Sequence, residues 1–431
     1  MATTYLTRTP SSAGSNTVWT VSMWVKRASL ASGKLNAAGT SSTYEFLFNG
    51  SGGLTLYNGA AEVFTTTRLF RDTSAWYHIV LAYNTTASGT DKCKLYINGT
   101  LESSFSTDNR SSAGAMSNIN QAVVQYIGKT HAGGFFDGLM SHFNSIDGTQ
   151  YAASEFGETD STTGEWKIKT SPSVTYGTNG FFILKDGNSV TDQSGNSNNF
   201  TVGGGTLTNT EDCPSNVFAT FAKNYLARNT SNPTFSNGGT TIGSGGDSGS
   251  FAGAIAPTTG KYYWEVKIVN ANNSRRIGII RSDATNTNSS TGFQIGGASG
   301  STTIWTASYD GVNGYIIYRD GVTRTQLGTT YATYTTNDII GVAVDCDNYT
   351  ITWYKNNTLI YALSLNATYF EGGVFPANRH DTNQTLSYNF GNGVFGTTAV
   401  ASAGTNASGI GIFEYDVPTG YTALSTKGLN L

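Results

Sequence analysis

Two stretches in the C-terminal half restrict this chain to a β fold. Residues 260–268 read GKYYWEVKI, where aromatic and β-branched residues alternate against Glu265 and Lys267. Residues 339–354 read IIGVAVDCDNYTITWY and contain two such runs, joined near residues 345–348. Alternation with a period of two, in sequence rich in aromatic and β-branched residues, is typical of strands that bury one face. We therefore predict one strand from the first stretch and a two-stranded hairpin from the second.

These stretches, together with residues 276–280 (RIGII), resemble the SPRY family. In that family a WEV-type strand, a G-[IV]-type strand and a hairpin that carries Asp and Trp pack into one core. The resemblance implies a β-sandwich binding module whose partner-binding face is built from loops between strands. It also implies a binding protein and not an enzyme.

The composition is that of many short strands joined by polar turns. Charged residues make up 12% of the 431 residues, while the chain has 52 Gly, 24 Tyr and 22 Phe. Disordered chains do not carry so many aromatic residues, because these side chains have to be buried or used in contacts. The length predicts two domains. The net charge of −3, without a basic cluster among aromatic residues, argues against a nucleic-acid partner.

The cysteines and the N-terminal residues exclude several other classes of protein. Cys93, Cys213 and Cys346 are odd in number and far apart, so we predict neither a disulfide framework nor a cysteine metal site. The first residues, MATTYLTRTPSSAG, lack the basic start and apolar core of a secretory signal. No run approaches the roughly 18 apolar residues that a membrane-spanning helix needs. We therefore expect synthesis in a cytoplasm and no membrane insertion.

Residues 1–157 contain the clearest series of strand signals. Residues 19–26 (WTVSMWVK) alternate in hydrophobicity, and residues 76–83 (WYHIVLAY) form the near-continuous apolar run of a central strand. Asn98-Gly99 follows the run KCKLYI and supplies the positive φ angles that a type I′ hairpin turn needs. We predict a first all-β unit from this series.

The order of these segments resembles the LamG-like, concanavalin-A-type jelly roll. The motifs SMWVK, WYHIV and KLYING are followed by YIG and then by FDGL, and the resemblance covers most of residues 15–150. It implies a sandwich of two sheets. Residues 158–215 are turn-rich, and we interpret them as a connector with short strands. Residues 216–431 form the SPRY-like sandwich, so the predicted fold class is all-β, with two β-sandwich (jelly-roll) domains joined by a turn-rich connector.

The order of segments along the whole chain resembles virion structural proteins of marine, cyanophage-like bacteriophages. The LamG-like part is followed by FGETDSTTGEW, YGTNGFF, NNFT and CPSNVFAT before GKYYWEV. Such phages carry these proteins as tail fibres, capsid fibres or capsid decorations. The resemblance implies synthesis in the host cytoplasm, a place on the virion surface and other virion proteins as partners. It also implies a homo-oligomer, and a trimer is the common form of fibres and spikes.

The sequence shows no motif for catalysis. Glucanases of the concanavalin-like fold place their carboxylates as E-x-D-x-x-E along one strand, and this string is absent here. Glu155, Glu158 and Asp160 come nearest but are misspaced and lie in a predicted loop. None of the four histidines has a partner at H-x-x-x-H spacing, and no G-x-S-x-G elbow occurs. A triad or carboxylate pair assembled by the fold stays open.

Loops rich in Tyr, Asn, Ser and Gly make adaptable binding surfaces. Residues 305–318 and 375–381 have this composition, although any one aromatic residue in a sandwich can equally belong to the core. The predicted ligand-binding residues are Trp305, Tyr309, Asp310, Asn313, Tyr315, Asn378, Arg379 and His380.

Calcium is the one cofactor that the sequence brings into consideration. LamG-like sandwiches hold Ca²⁺ in rim loops through carboxylates and backbone carbonyls. The candidate ligands are Asp137, Asp147, Asp345 and Asp347. The competing interpretation is structural, because Asp-Gly pairs are also what ordinary turns use.

These observations favour a non-enzymatic phage virion surface protein. It would be a tail fibre, capsid fibre or decoration that binds a host-surface glycan or a neighbouring virion protein through inter-strand loops. One alternative is a carbohydrate-active depolymerase, which needs a carboxylate pair roughly 5–9.5 Å apart. The other is a purely structural capsid cement protein, which needs an extensive self-complementary apolar interface.

Overall fold

The computed structural model shows an almost entirely β protein. It describes residues 3–41, 44–185, 190–229, 234–243, 249–271, 276–283, 295, 304–380 and 383–431. The chain divides into two compact units, Met1–Asn209 with Cys213–Ser215 and Thr210–Asp212 with Asn216–Leu431. The predicted all-β class with two β-sandwich domains is confirmed. No helix in the described ranges has the length and apolar character to cross a membrane.

Among the residues that the structure describes, sixteen strands belong to the first unit. They are β1 (Tyr5–Arg8), β2 (Val18–Arg27), β3 (Gly33–Ala38), β4 (Tyr44–Phe48), β5 (Leu54–Asn58), β6 (Ala61–Thr66), β7 (Trp76–Asn84), β8 (Cys93–Ile97), β9 (Thr100–Leu101), β10 (Phe105–Asp108), β11 (Gln125–Ile127), β12 (Gly138–Asp147), β13 (Gly157–Thr159), β14 (Trp166–Ile168), β15 (Phe181–Ile183) and β16 (Thr201–Gly204).

Two antiparallel sheets enclose the core of the first unit. One has the order β10-β6-β5-β4-β3-β11-β1-β16 and the other β15-β12-β2-β7-β8-β9, while β13 and β14 pair separately. The predicted strands at 19–26 and 76–83 are β2 and β7, which pair over nearly their whole length. Asn98 and Gly99 join β8 to β9 with φ angles of 48° and 79°. In the core, Trp19 stacks on Tyr83 with 4.8 Å between ring centroids.

Residues 158–215, which we expected to form a connector, add a strand to each sheet of the first unit. β15 pairs with β12, and β16 pairs with β1. Aromatic packing is the reason, because the Phe181 ring lies 5.8 Å from that of Phe143 and 4.6 Å from that of Phe200. Turn residues dominate the composition between these strands, so the sequence pattern does not reveal which aromatic residues are buried.

Phe181→Ala is therefore expected to destabilise the first unit. Phe181 is buried, and deletion of such a ring costs about 3–5 kcal/mol of unfolding free energy. Urea denaturation of the whole chain, followed through the unfolding transition of this unit, measures the loss. Val202→Ala, at a well-exposed position of β16, is the control and should change little. An unchanged transition for Phe181→Ala would show that this segment is not part of the core.

In the described ranges of the second unit there are seventeen strands. They are β17 (Phe221–Asn229), β18 (Thr234–Ser236), β19 (Thr241–Gly243), β20 (Gly249–Gly253), β21 (Lys261–Asn270), β22 (Arg276–Arg281), β23 (Ile304–Asp310), β24 (Tyr315–Gly321), β25 (Thr323–Gln326), β26 (Ile339–Asp345), β27 (Thr350–Lys355), β28 (Thr358–Ser364), β29 (Val374–His380), β30 (Thr385–Asn389), β31 (Val394–Phe395), β32 (Thr398–Ala399) and β33 (Thr422–Ala423).

Short 3-10 helices interrupt the connections of both units. They are Gly89–Lys92, Arg110–Ser112, Ala153–Glu155, Asn237–Gly239, Ala367–Tyr369 and Gly428–Asn430.

The second unit is again a sandwich. Its first sheet has the order β17-β20-β29-β22-β23-β24-β25, and its second has β18-β19-β30-β21-β26-β27-β28 with β33 parallel to β21. The predicted strand at 260–268 is β21, and the predicted hairpin is β26 with β27. Trp353 of β27 is fully buried and donates its indole N–H to the Ile277 carbonyl of β22 at 2.9 Å. This hydrogen bond joins the two sheets through the core.

The two ends of the second unit lie side by side. Phe218 and Ser425 form an antiparallel bridge. The Ala219 N–H donates to the Leu424 carbonyl at 3.0 Å, and the Thr426 N–H donates to the Val217 carbonyl at 2.9 Å. The chain thus enters and leaves this unit at the same place.

Candidate functional site

The candidate site is the outer face of the sheet β17-β20-β29-β22-β23-β24-β25. The inner face belongs to the core of the second unit, to which Ile277, Ile279, Tyr309 and Ile316 contribute. Successive side chains of a strand point to opposite faces. The residues that alternate with these core positions therefore lie on the outer face. Several of them are charged or polar, while Ile280, Ile304 and Ala377 are buried there in a cluster with Ile295.

Strand register brings four arginines onto this outer face. Arg276 of β22 lies opposite Arg379 of β29 and, on its other side, opposite Asp310 of β23. Arg319 of β24 lies opposite Arg324 of β25. We call the set Arg276, Arg319, Arg324, Arg379, Asp310 and Tyr315 the arginine face; Tyr315 belongs to it because it pairs with Asp310.

Two of the four arginines are largely buried. Arg276 and Arg319 are 9% and 5% exposed, whereas Arg324 and Arg379 are half-buried. Burial lowers the pKa of Arg276 to about 10, an effect that Arg379 reinforces and Asp310 opposes. Burial also lowers the pKa of Arg319. A pKa of about 10 still leaves Arg276 charged at neutral pH, and its guanidinium also donates to the Ile295 carbonyl at 3.1 Å.

Asp310 anchors the centre of the site. Its carboxylate lies 3.4 Å from Nε of Arg276. It also accepts hydrogen bonds from the backbone N–H of Asn313 at 3.3 Å and from its side-chain amide at 3.2 Å. The exposed Asn313 and the half-buried Tyr315 belong to the turn and strand that follow. The carboxylate therefore fixes both an arginine and the turn beside it.

Like charges that face each other directly across two strands destabilise a sheet. The arginine face has two such pairs, Arg276 with Arg379 and Arg319 with Arg324. Natural proteins depart from such local rules mainly at functional sites. The two pairs therefore single out this face as a candidate functional site.

Four of the eight ligand-binding residues predicted from the sequence come together here. Asp310, Tyr315 and Arg379 lie on the arginine face, and Asn313 lies in the adjoining turn. The side chain of His380 is outside the described residues.

The other three predicted residues point to the opposite side of the same strands. Tyr309 is fully buried and donates its hydroxyl hydrogen to the Ala332 carbonyl. Asn378 is also fully buried. The indole N–H of Trp305 donates to Asp320 at 3.1 Å, and the Arg281 guanidinium lies 3.5 Å from the centroid of the Trp305 ring. Tyr309 and Asn378 therefore lie in the interior and not at the surface.

Sequence reasoning missed Arg276, Arg319 and Arg324 as site residues. One signal for the last two was present, because RDGVTR places two arginines symmetrically about a two-residue Gly-Val turn. Residues at equal distance from such a turn lie opposite each other in a hairpin. The place of Arg276 on the same sheet face requires the order of the strands, which the sequence does not show.

The two calcium candidates of the first unit, Asp137 and Asp147, lie in different environments. Asp147 accepts hydrogen bonds from the backbone N–H groups of Ser15 at 2.6 Å and Asn179 at 3.0 Å. The two carboxylate oxygens of Asp147, which a cation would need as ligands, are therefore already engaged by N–H donors. Asp137 is partly buried, and burial raises the pKa of its carboxyl.

The calcium candidates of the second unit likewise close turns. Asp345 accepts from the backbone N–H groups of Asp347 and Asn348 at 3.1 and 2.9 Å, and it forms an ion pair with Lys261 at 3.0 Å. Burial would raise the pKa of Asp345, but the Asn348 and Lys261 contacts hold it below its usual value. Asp347 accepts from the N–H of Gly260 at 2.9 Å. Within the described ranges, no group of three or more His, Cys, Asp or Glu side chains is arranged to hold a metal ion.

The first unit contains a buried histidine, His78, between two tryptophan side chains. His78 lies between two indoles, with ring centroids 4.8 Å from Trp24 and 5.9 Å from Trp166. Trp166 donates its N–H to Nδ1 of His78 at 2.9 Å, and Nε2 lies 2.9 Å from Oγ of Ser22. Because an indole only donates, Nδ1 must be the acceptor and Nε2 must carry the proton. Burial lowers the pKa of His78 to about 3, so the ring is neutral.

Comparison with known families places one match on each unit. Residues 2–153 match the Concanavalin A-like lectin/glucanases superfamily, and residues 261–393 match the SPRY domain. The LamG-like and SPRY resemblances expected from the sequence are confirmed. A search of curated proteins found no match.

Solved SPRY structures are among those similar to this chain. The SPRY domain of human HERC1 is 17% identical over 39% of this chain and 96% of its own, with a TM-score of 0.28. The TRIM65 PSpry domain is 14% identical over 40% of this chain and 91% of its own, with a TM-score of 0.29. Stonustoxin is 15% identical over 40% of this chain and 27% of its own, with a TM-score of 0.30. From the two family matches, the chain carries an N-terminal concanavalin A-like domain and a C-terminal SPRY domain.

Proposed function

We propose that this protein is a non-enzymatic binding protein of a bacteriophage virion surface, where its SPRY domain holds a glycan of the host cell. Support comes first from the domains, since concanavalin A-like and SPRY domains are generally binding modules. The observation that carries the proposal is the arginine face with its adjoining turn.

The side chains of this face suit sugar hydroxyls. A guanidinium presents five N–H donors in a fixed fork, and the Asn313 amide can donate and accept. The half-buried Tyr315 adds an aromatic ring with a polar tip. Because Arg276, Arg319 and Arg379 are mounted on paired strands, their positions are better fixed than those of loop residues.

The virion assignment rests on the order of segments along the chain, which resembles that of marine phage structural proteins. Under this proposal the protein is made in the host cytoplasm and assembles with other virion proteins as a tail fibre, capsid fibre or capsid decoration. It acts as a homo-oligomer, with a trimer as the expected form.

The proposal is tested by exposing the purified protein to a glycan array and to surface polysaccharide of the host cell. Bound protein and released reducing sugar are measured together, with and without EDTA. We expect binding without release. We also expect binding to persist in EDTA, because Asp147 and Asp345 already accept hydrogen bonds from backbone N–H groups. Release of oligosaccharide would favour a depolymerase, and absence of binding would favour a structural cement protein.

A further inference from the structure

We propose that the hairpin of β13 and β14 is a lid on the outer face of the sheet β15-β12-β2-β7-β8-β9, and that protonation of His78 opens it. We call residues 157–168 the hairpin lid. In the described ranges its two strands pair with each other and with neither sheet of the first unit. Local segments of this kind can open while the rest of a domain stays folded. The inference is independent of the proposed glycan site.

The sheet face under the hairpin lid is largely apolar. His78 and Val80 alternate along β7 with Ile79 and Leu81, which belong to the core, so they lie on the outer face. Val80 belongs to a small buried cluster outside that core, and Trp166 of the lid packs against this cluster. Opening of the lid therefore exposes apolar surface of the first unit to water.

One aromatic ring makes the main contact between the hairpin lid and the sheet. Residues 161–165 and Lys167 are exposed, whereas Trp166 is half-buried. The ion pairs of Lys167 with Glu158 at 3.3 Å and with Asp160 at 3.2 Å join parts of the lid to each other. They do not attach it to the sheet. The attachment of the lid thus depends mainly on the indole of Trp166.

Two glycines leave the space that this indole needs. A Cβ at Gly99, in the turn between β8 and β9, would lie 2.4 Å from Cε3 of Trp166. A Cβ at Gly157, on β13, would lie 2.5 Å from Cζ2 of the same ring. Carbon atoms do not approach so closely unless something shifts. The closed position of Trp166 is therefore a tight fit against both turns of chain.

The polar contact of the hairpin lid ends on His78. Trp166 donates its indole N–H to Nδ1 of His78 at 2.9 Å, and Nε2 lies 2.9 Å from Oγ of Ser22. A second proton on the imidazole would occupy Nδ1 and point at the indole N–H. Two donors would then oppose each other, and a charge would lie in a buried site. Opening of the lid separates the donors and lets water solvate the charge.

Neighbouring titratable groups do not share this role. Those on the elements around His78 are Tyr77 and Tyr83 of β7, Lys26 of β2, Lys94 and Tyr96 of β8, and Glu158, Asp160, Glu165 and Lys167 of the lid. Among the described residues, the side chains that hydrogen-bond or stack on the His78 ring are Ser22, Trp24 and Trp166, and none of these is titratable. Burial of the ring is therefore what opposes its protonation.

Acid should favour the open lid. The pKa of His78 is about 3 in the closed structure and should return towards its ordinary value of about 6.5 when the ring reaches water. A group whose pKa is lowered in one state stabilises that state above its ordinary pKa, and the stabilisation is lost as the pH falls. Between pH 6.5 and 4.5 the equilibrium constant for opening should thus rise by up to about fiftyfold.

Hydrogen exchange on the full chain measures this opening. The readouts are the indole N–H of Trp166 and the amide of Lys169, which donates to the Phe156 carbonyl at 3.1 Å beside the hairpin. A detached two-stranded hairpin is at best marginally stable, so an open lid loses its protection. Amides of β2 and β7 report unfolding of the whole unit, and unstructured peptides supply the intrinsic rates. We expect the lid to open more often than β2 and β7, and at least about tenfold more often at pH 4.5 than at pH 6.5.

Three variants locate the switch. His78→Gln cannot take up a proton, so its lid should open equally at both pH values. Trp166→Phe keeps an aromatic ring but loses the donor, and at pH 6.5 the Lys169 amide should report about tenfold more opening, the equivalent of one hydrogen bond. Trp305→Phe removes an indole donor of the second unit and should leave the lid unchanged. Thermal unfolding confirms that each variant folds.

Each other result would overturn a part of this inference. Equal opening constants for the lid and for β2 and β7 would show that the first unit opens only as a whole. A wild-type lid that opens no more often in acid, or a rise of the same size in His78→Gln, would overturn the role of His78. Unchanged exchange of the Lys169 amide in Trp166→Phe would show that the indole hydrogen bond does not hold the lid closed.

Discussion

Replacement of Glu265 by leucine is expected to destabilise the SPRY domain by about 3–5 kcal/mol, because it leaves several buried donors without an acceptor. Glu265 lies on β21 and is fully buried. Its carboxylate accepts the backbone N–H groups of Glu414 at 2.9 Å and Tyr415 at 2.8 Å. It also accepts the side-chain amide of Asn389 at 3.2 Å and the hydroxyl of Tyr263 at 3.3 Å. One side chain thus attaches the C-terminal segment to the sheet.

The loss is measured by denaturation of the full chain, with hydrogen exchange at Glu414 and Tyr415 as the local readout. Both amides should exchange faster in the Glu265→Leu variant. Glu371→Ala is the control, since its side chain is 64% exposed and its removal should cost little. Protection of both amides at the wild-type level would show that the segment is held by other contacts.

The same carboxyl group should make the stability of the SPRY domain depend on pH. Burial raises the pKa of Glu265 to about 7, although the hydrogen bonds from Glu414 and Tyr415 oppose this shift. A group whose pKa rises on folding stabilises the fold below its unfolded pKa, and this stabilisation is lost as the pH rises through the folded value. The contribution of Glu265 should therefore decline between about pH 4.5 and 7. Glu265→Gln should remove this decline.

The second large effect is expected in the concanavalin A-like domain. Acid should lower its free energy of unfolding, because His78 gains a proton. Burial lowers the pKa of His78 to about 3, and the N–H of Trp166 occupies the nitrogen that would take the proton. A group whose pKa falls on folding is stabilising above its unfolded pKa, and the contribution is lost as the pH falls through the folded value. Between about pH 6.5 and 3 the loss should reach about 4 kcal/mol, from about 1.4 kcal/mol for each pKa unit.

The measurement is the unfolding free energy of this domain between pH 4.5 and 6.5, reported by the fluorescence of Trp24 and Trp166. Glu62, Glu102 and Asp108 have pKa values below the usual range and act at lower pH, while Asp137, whose pKa is raised by burial, contributes equally to wild type and to His78→Gln. His78→Gln cannot gain a proton and should flatten the dependence. A slope that is the same in wild type and His78→Gln would contradict the assignment. The two domains should thus respond to acid in opposite directions within this range.

Local patterns were sufficient to predict the strands that carry the fold. β2, β7, β21 and the hairpin of β26 and β27 each bury residues that alternate in the sequence, and Asn98-Gly99 specifies its turn through backbone conformation alone. The place of residues 158–215 could not be predicted in this way. Their attachment depends on Phe181 and Phe200, whose partners lie far away in the chain.

The candidate site was predictable only in part, for a similar reason. Composition drew attention to residues 305–318, but it does not distinguish the two faces of a strand. A shift of one position separates Asp310 on the outer face from Tyr309 in the core. The arginine face further depends on the order β29-β22-β23-β24-β25, which brings together residues from distant parts of the chain. The register and order of the strands determine which residues share this face, and the sequence of any one segment does not show it.

The neighbouring ends of the SPRY unit have a mechanical consequence. Tension applied to the two ends enters at adjacent points, where the Phe218–Ser425 bridge and the hydrogen bonds beside it lie. The load would break these contacts one after another before it reached the sheets of the sandwich. A domain loaded in this way can yield at its attachment point and still keep its arginine face intact.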